Sequence, residues 1–282
     1  MFAHEFVRNA WLAGTFVALA CGTIGWFTVM RAQVFAGDAL SHVAFVGAIA
    51  AATVGIDERI GLFALTLLLA GAMGLLGRRA QADDVTIGTA FAWILGIGVL
   101  LLTLLASSAA GASGVITATT LFGSIYTLGP GTAAIAAGVG LLLTLVILGI
   151  ARPLLLSTID GELAAQRGVP VRALGLVFLA VLALVTAQAT QAVGALLLLG
   201  LIAAPAGAAG ALTARPYLGL ALSGAIAVAA TWSGLVLSYV VAPLPASTAI
   251  IGVAATAYAI AQLTRRGQHV RATAANSSLE TR

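Results

Sequence analysis

Lysine does not occur in this chain, cysteine occurs once, and charged residues of every kind make up only 8% of its 282 residues. Each shortage excludes something. A phosphate-binding loop of the form GxxxxGK[ST] depends on its lysine, so the chain cannot hydrolyse ATP through that motif. One cysteine, Cys21, builds neither a disulfide framework nor a thiolate metal cluster, and its place inside the first apolar run reads as a small buried residue. A soluble domain carries about 25% charged residues; here most of the chain has no water-facing side. The zinc-protease string HExxH is also missing, because His4-Glu5-Phe6-Val7-Arg8 lacks its second histidine and precedes the first apolar run.

What is present is apolar. Hydrophobic residues reach 61%, and the mean hydropathy is +1.11. A helix that crosses a bilayer needs about 20 apolar residues, and such runs follow one another with short polar breaks. They predict an all-α polytopic membrane protein with nine spans, at about 10–30, 34–55, 60–77, 85–107, 130–151, 173–190, 192–212, 217–240 and 246–264. Eight or ten spans are the neighbouring counts, and 111–129 has room for a short re-entrant or interfacial helix around Thr120–Tyr126. The first run is read as a retained span: Glu5 interrupts the charged region before it, and 10–30 exceeds the apolar core of a secretory signal. Thirty-three glycines, with stripes such as Gly71, Gly74 and Gly77 and the small-residue stretch Ala203–Gly210, predict helices packed through small residues.

The thirteen basic residues are all arginine. With nine spans and an external N-terminus, the cytoplasmic side receives Arg31, Arg78, Arg79, Arg152, Arg167, Arg172, Arg215, Arg265, Arg266, Arg271 and Arg282, leaving Arg8 and Arg59 outside. The positive-inside rule predicts that bias. Residues 1–264 then form one transmembrane domain, and 265–282 a cytoplasmic polar tail expected to lack structure. The net charge of +4 reflects arginines dispersed at membrane edges, not a nucleic-acid surface.

Two segments carry chemistry. Gly37-Asp38-Ala39-Leu40-Ser41-His42 lies inside the second span, and Asp38 and His42 are ionisable residues set well within an apolar run. An aspartate at the centre of a span costs about 2.5–3.5 kcal/mol on insertion scales and tends to mark an ion or proton path. Their i, i+4 spacing puts both on one helical face. Carboxylate oxygen and imidazole nitrogen suit a transition-metal site; a structural Asp–His hydrogen bond and a proton relay are the other readings. The second segment, Asp160-Gly-Glu-Leu-Ala-Ala-Gln-Arg-Gly-Val-Pro170, reads as a short capped helix in a cytoplasmic loop spanning 152–172. Ser157 or Asp160 can cap its start, Gly168 can take the left-handed position after its end, and Pro170 stops continuation. About two turns of helix do not hold alone in water, and a face at Leu163-Ala164-Ala165 is expected to meet a partner protein. Thr186, Gln188, Thr190 and Gln191 read as hydrogen-bonding glue between helices.

Together these segments resemble the zinc/manganese/iron permease family of ATP-binding-cassette importers. The likeness rests on Gly37–His42, Asp83-Asp84-Val-Thr-Ile-Gly88, Leu121-Phe122-Gly123-Ser124, the loop 160–170, and Gln191-Ala-Val-Gly194 leading to Ala204-Pro205-Ala206, and runs from about residue 8 to 264. The resemblance implies the type II importer fold of the vitamin-B12 and siderophore permeases in a bacterial plasma membrane. It implies a homodimer or paired permease, two cytoplasmic ATPase subunits that bind the ATP, and an external metal-binding lipoprotein. It also implies that Asp38 and His42 form the ion site for transported Mn²⁺, Zn²⁺ or Fe²⁺. Residues Asp160, Glu162, Leu163, Ala164, Ala165, Gln166 and Gly168 would belong to the helix that docks into the ATPase. The GDALSH form leans towards manganese-type relatives. Family members often carry Leu-Pro-Gly after the histidine; this chain has Phe45-Val46-Gly47, so its second span is expected to be straighter. An ion-coupled secondary carrier is the rival reading. It would bind substrate on broken helices between inverted repeats, of which none is evident, and would leave the capped helix without a role.

Overall fold

An apolar chain in lipid must satisfy its backbone hydrogen bonds within itself, and single helices do so most simply. The computed structural model describes residues 5–76, 84–108, 121, 123, 125–241 and 244–280. Its helices are α1 (Glu5–Met30), α2 (Val34–Val54), α3 (Glu58–Leu76), α4 (Asp84–Ser108), α5 (Pro130–Ile159), α6 (Gly161–Gln166), α7 (Val171–Val193), α8 (Leu198–Leu212), α9 (Pro216–Val240) and α10 (Ala246–Glu280), with a 3₁₀ turn at Ile125–Thr127. Eight of them are long and apolar enough to cross a membrane, and α8 is a shorter apolar helix. The re-entrant helix expected around Thr120–Tyr126 falls largely outside the described residues, as do Gly77, Arg78, Arg79, Asp83, Phe122 and Ser124.

Helix α1 is the hub: it packs against α5, α9, α8 and α7. Helix α2 lies against α3, α4 and α7, so α7 bridges the two groups. The core between them is built from Phe27, Leu40, Phe178, Leu179, Leu182 and Ile202, all buried. Helix α4 touches chiefly α2 and leaves Trp93, Ile97, Val99 and Leu100 exposed, the pattern expected of a span whose solvent is lipid.

Three departures from the expected boundaries have physical causes. The fifth span does not stop near residue 151 but runs through Pro153 to Ile159, carried by the buried Leu154 and Ser157. The seventh does not begin at 192: Gly194 adopts φ 93°, ψ 154°, a region open essentially to glycine alone, and helix resumes at Leu198. The segment from 265, expected to be unstructured, continues as helix to Glu280; extending an existing helix requires no new nucleus.

Candidate functional site

Helix α2 sets the first site. It is unbroken from Val34 to Val54, in keeping with Phe45-Val46-Gly47 lacking a proline. Ala39, Leu40, Ser41, Val43 and Ala44 are buried, whereas Asp38 and His42 are half-buried, so the i, i+4 pair shares the more open face. The His42 ring sits 5.4 Å from the Phe91 ring of α4, tilted by 58°, and Phe35 meets Phe91 edge-on at 6.3 Å. These aromatics flank the pair on the α4 side. Among the described residues neither the Asp38 carboxylate nor the His42 imidazole has a hydrogen-bond partner in the protein. The inter-helix Asp–His hydrogen bond is therefore not formed in this state, and the lone pairs stay available.

Ser41 fixes the opposite side of α2. Its hydroxyl donates to its own helix at Asp38 O, 2.7 Å, and lies 3.1 Å from Ala195 O, in the non-helical stretch between α7 and α8. Broken backbone at membrane depth is tolerated where it is buried in protein or lines a cavity, and Gly194 and Ala195 are buried. Gly123 lies against the same break. A Cβ on it would come within 2.4 Å of Val193 C, and the Leu196 N–H donates to Leu121 O at 3.3 Å. Two stretches far apart in sequence thus meet beside α2, with Leu121 and Gly123 against Ala192–Leu196.

The threonines expected to glue helices together do not do so. Thr186 donates to Ala183 O and Thr190 to Thr186 O, both inside α7. Gln191 Nε2 is buried and finds no partner among the described residues. A threonine hydroxyl reaches back one turn more easily than it spans to a neighbour.

The second site is α6. The Asp160 carboxylate accepts the N–H groups of Glu162 and Leu163 at 3.0 and 2.9 Å, so Asp160 is the cap, while Ser157 belongs to α5. Glu162 lies in the first turn, where the helix dipole favours a negative charge. At the other end Gly168 has φ 79°, its N–H donates to Ala165 O, and the Val169 N–H donates to Ala164 O. That pair of bonds is the Schellman arrangement. Leu163, Ala165, Gln166 and Gly168 are exposed, but Ala164 is fully buried. The expected docking face loses Ala164 because a helix this short, packed on α5 and α7, must turn one side inward.

Residues 3–265 match the model of the ABC 3 transport family, and the chain belongs to that family. It is 29% identical to the manganese transport system membrane protein MntC of Halalkalibacterium halodurans over 93% of this chain and 88% of that protein. It is also 29% identical to the manganese import system permease protein ScaB of Streptococcus parasanguinis over 67% of this chain and 66% of the relative. The solved structure of PsaBC from Streptococcus pneumoniae in complex with Fab superposes with a TM-score of 0.78 at 26% identity, covering 92% of this chain and 91% of that one. The chain is the membrane-spanning permease subunit of an ATP-binding-cassette metal importer.

Proposed function

We propose that this permease carries Mn²⁺ into the cytoplasm by alternating access, with Asp38 and His42 as protein ligands in the path. The observation that carries the reading is the unpaired carboxylate and imidazole on one face of an otherwise apolar span. No group of three or more His, Cys, Asp or Glu side chains is present among the described residues, so two ligands need company. A second copy of the chain, bringing its own Asp38 and His42 to a shared axis, supplies it. Backbone carbonyls and water complete a coordination of the kind Mn²⁺ accepts. The likeness to the manganese transport protein MntC and the manganese import permease ScaB favours manganese over zinc or iron.

In this reading two ATPase subunits dock on the α6 helices, and their closure rocks the bundles around the ion. An external binding protein delivers the metal. The exposed Leu163, Ala165 and Gln166 form the docking face, and the C-terminal end of α10 lies in the cytoplasm. The deciding experiment is uptake of radioactive Mn²⁺ into proteoliposomes containing the permease, its ATPase and the binding protein. Uptake should require ATP and stop with a non-hydrolysable analogue. Uptake equal with the analogue, or one that collapses with the proton gradient, would favour a secondary carrier.

A further inference from the structure

Three consecutive residues between α1 and α2 carry unusual costs. Arg31 is buried at 8% exposure, and its Nε has no partner. Ala32 has φ 54°, a left-handed conformation that glycine normally takes. Gln33 is buried at 4% exposure, with neither amide atom hydrogen-bonded among the described residues. The backbone explains the φ. The Gln33 N–H donates to Thr28 O and the Ala32 N–H to Val29 O, a Schellman end in which alanine occupies the glycine position. Nothing in the turn itself requires the arginine to be buried.

What Arg31 touches gives the reason. Its Nη1 donates to Ser157 Oγ at 3.5 Å, and Ser157 in turn donates to Leu154 O at 2.9 Å. Its guanidinium carbon stands 5.0 Å from the centre of the Phe178 ring. Ser157 is three residues before Asp160, the residue that both ends α5 and caps α6. Phe178 is on α7, against which α6 also packs. On its other side Arg31 is seven residues from Asp38, through a turn whose Gln33 carbonyl accepts the first N–H groups of α2, from Ala36 and Gly37. Burial lowers the Arg31 pKa from its ordinary value, and an arginine starting so high still keeps its charge.

We infer that Arg31 is a mechanical strut: it locks the α1–α2 turn to the roots of the α6 helix, so that displacement of α6 moves α2 and with it the Asp38/His42 face. A planar guanidinium suits the task because it stacks and donates at once. Arg31 is a positioning residue and touches no ion.

The inference rests on the ATP-driven reading above, and its test separates the two. Mn²⁺ uptake and phosphate release are measured in the same proteoliposomes, giving ions moved per ATP, and Mn²⁺ affinity is measured on the purified permease. Arg31→Gln should keep Mn²⁺ affinity and ATP hydrolysis but lower ions per ATP severalfold. Arg31→Lys, which keeps the charge without the fork, should recover part of the ratio. If Arg31→Gln fails to assemble, Ser157→Ala and Phe178→Leu decide, each leaving the guanidinium one of its contacts. A lowered ratio with native Mn²⁺ affinity in both supports the strut. A native ratio in the assembled variants, or an affinity that falls in step with uptake, overturns it. Native uptake that ignores ATP would remove the parent reading as well; coupled native uptake with equally coupled variants removes the strut alone.

Discussion

At the residue scale the chain concentrates its costs in a few places. Asp38 and His42 place ionisable groups in an apolar span without protein partners to offset them, which makes sense if an ion is the intended partner. Asp38→Asn and His42→Ala should each reduce Mn²⁺ uptake to background while the protein inserts normally, because a neutral amide is a poorer donor and a lone carboxylate cannot hold the ion. Wild-type uptake in either variant at matched expression would return the pair to a structural role. Ala32 offers a separate prediction. A left-handed conformation costs a non-glycine residue about 1–2 kcal/mol, and glycine loses part of that gain through the entropy of the unfolded chain. Ala32→Gly should therefore stabilise the detergent-solubilised protein by about 0.5–1 kcal/mol, read as a raised melting temperature. A lowered one would mean that alanine's methyl is needed where it stands.

At the element scale α6 is the testable unit. It is only Gly161–Gln166, too short to persist alone, and it survives through the Asp160 cap, the Gly168 end and the buried Ala164. Replacing an N-cap aspartate by alanine costs about 1 kcal/mol, so Asp160→Ala should weaken ATPase docking without abolishing it. Gly168→Pro should do more: proline is held near φ −65°, whereas Gly168 sits at φ 79° and donates its N–H to Ala165 O. Glu162→Arg places the wrong charge on the first turn. Gly168→Pro and Glu162→Arg should lose co-purification with the ATPase and stimulated hydrolysis, yet bind Mn²⁺ as before, since the proposed ion site is on α2. Loss of Mn²⁺ binding in parallel would show that the damage had spread beyond α6.

At the scale of the whole molecule the arginines set the orientation. Arg31, Arg152, Arg167, Arg172, Arg215, Arg265 and Arg266 lie at one end of the helices, with Arg8 and Arg59 at the other. The orientation we propose from the positive-inside rule puts the first end in the cytoplasm, together with α6 and the end of α10. A fluorescent tag fused after Arg282 should report the cytoplasm, and an impermeant reagent applied to intact cells should label residues of the Asp57–Arg59 turn but not the tail. Labelling of the tail from outside would invert the topology and remove α6 from the side where ATP is found.

The amino-acid sequence by itself determined the class of molecule, the spans and the short capped helix. Lipid forces backbone satisfaction and therefore long apolar runs, while caps are local chemistry written within a few residues. Asp38 and His42 stood out as candidates for the same reason, since charge is conspicuous in an apolar run. Only the tertiary structure decided which side of α6 is free, because Ala164 is buried by the way the flanking helices α5 and α7 pack against α6. It also decided where the seventh span breaks. Gly194 looks like any other glycine until the Ser41 hydroxyl and the Gly123 backbone are seen to meet the opened turn. Arg31 read as one more basic residue at a membrane edge; its burial between Ser157 and Phe178 comes from contacts more than a hundred residues apart, which no local pattern encodes.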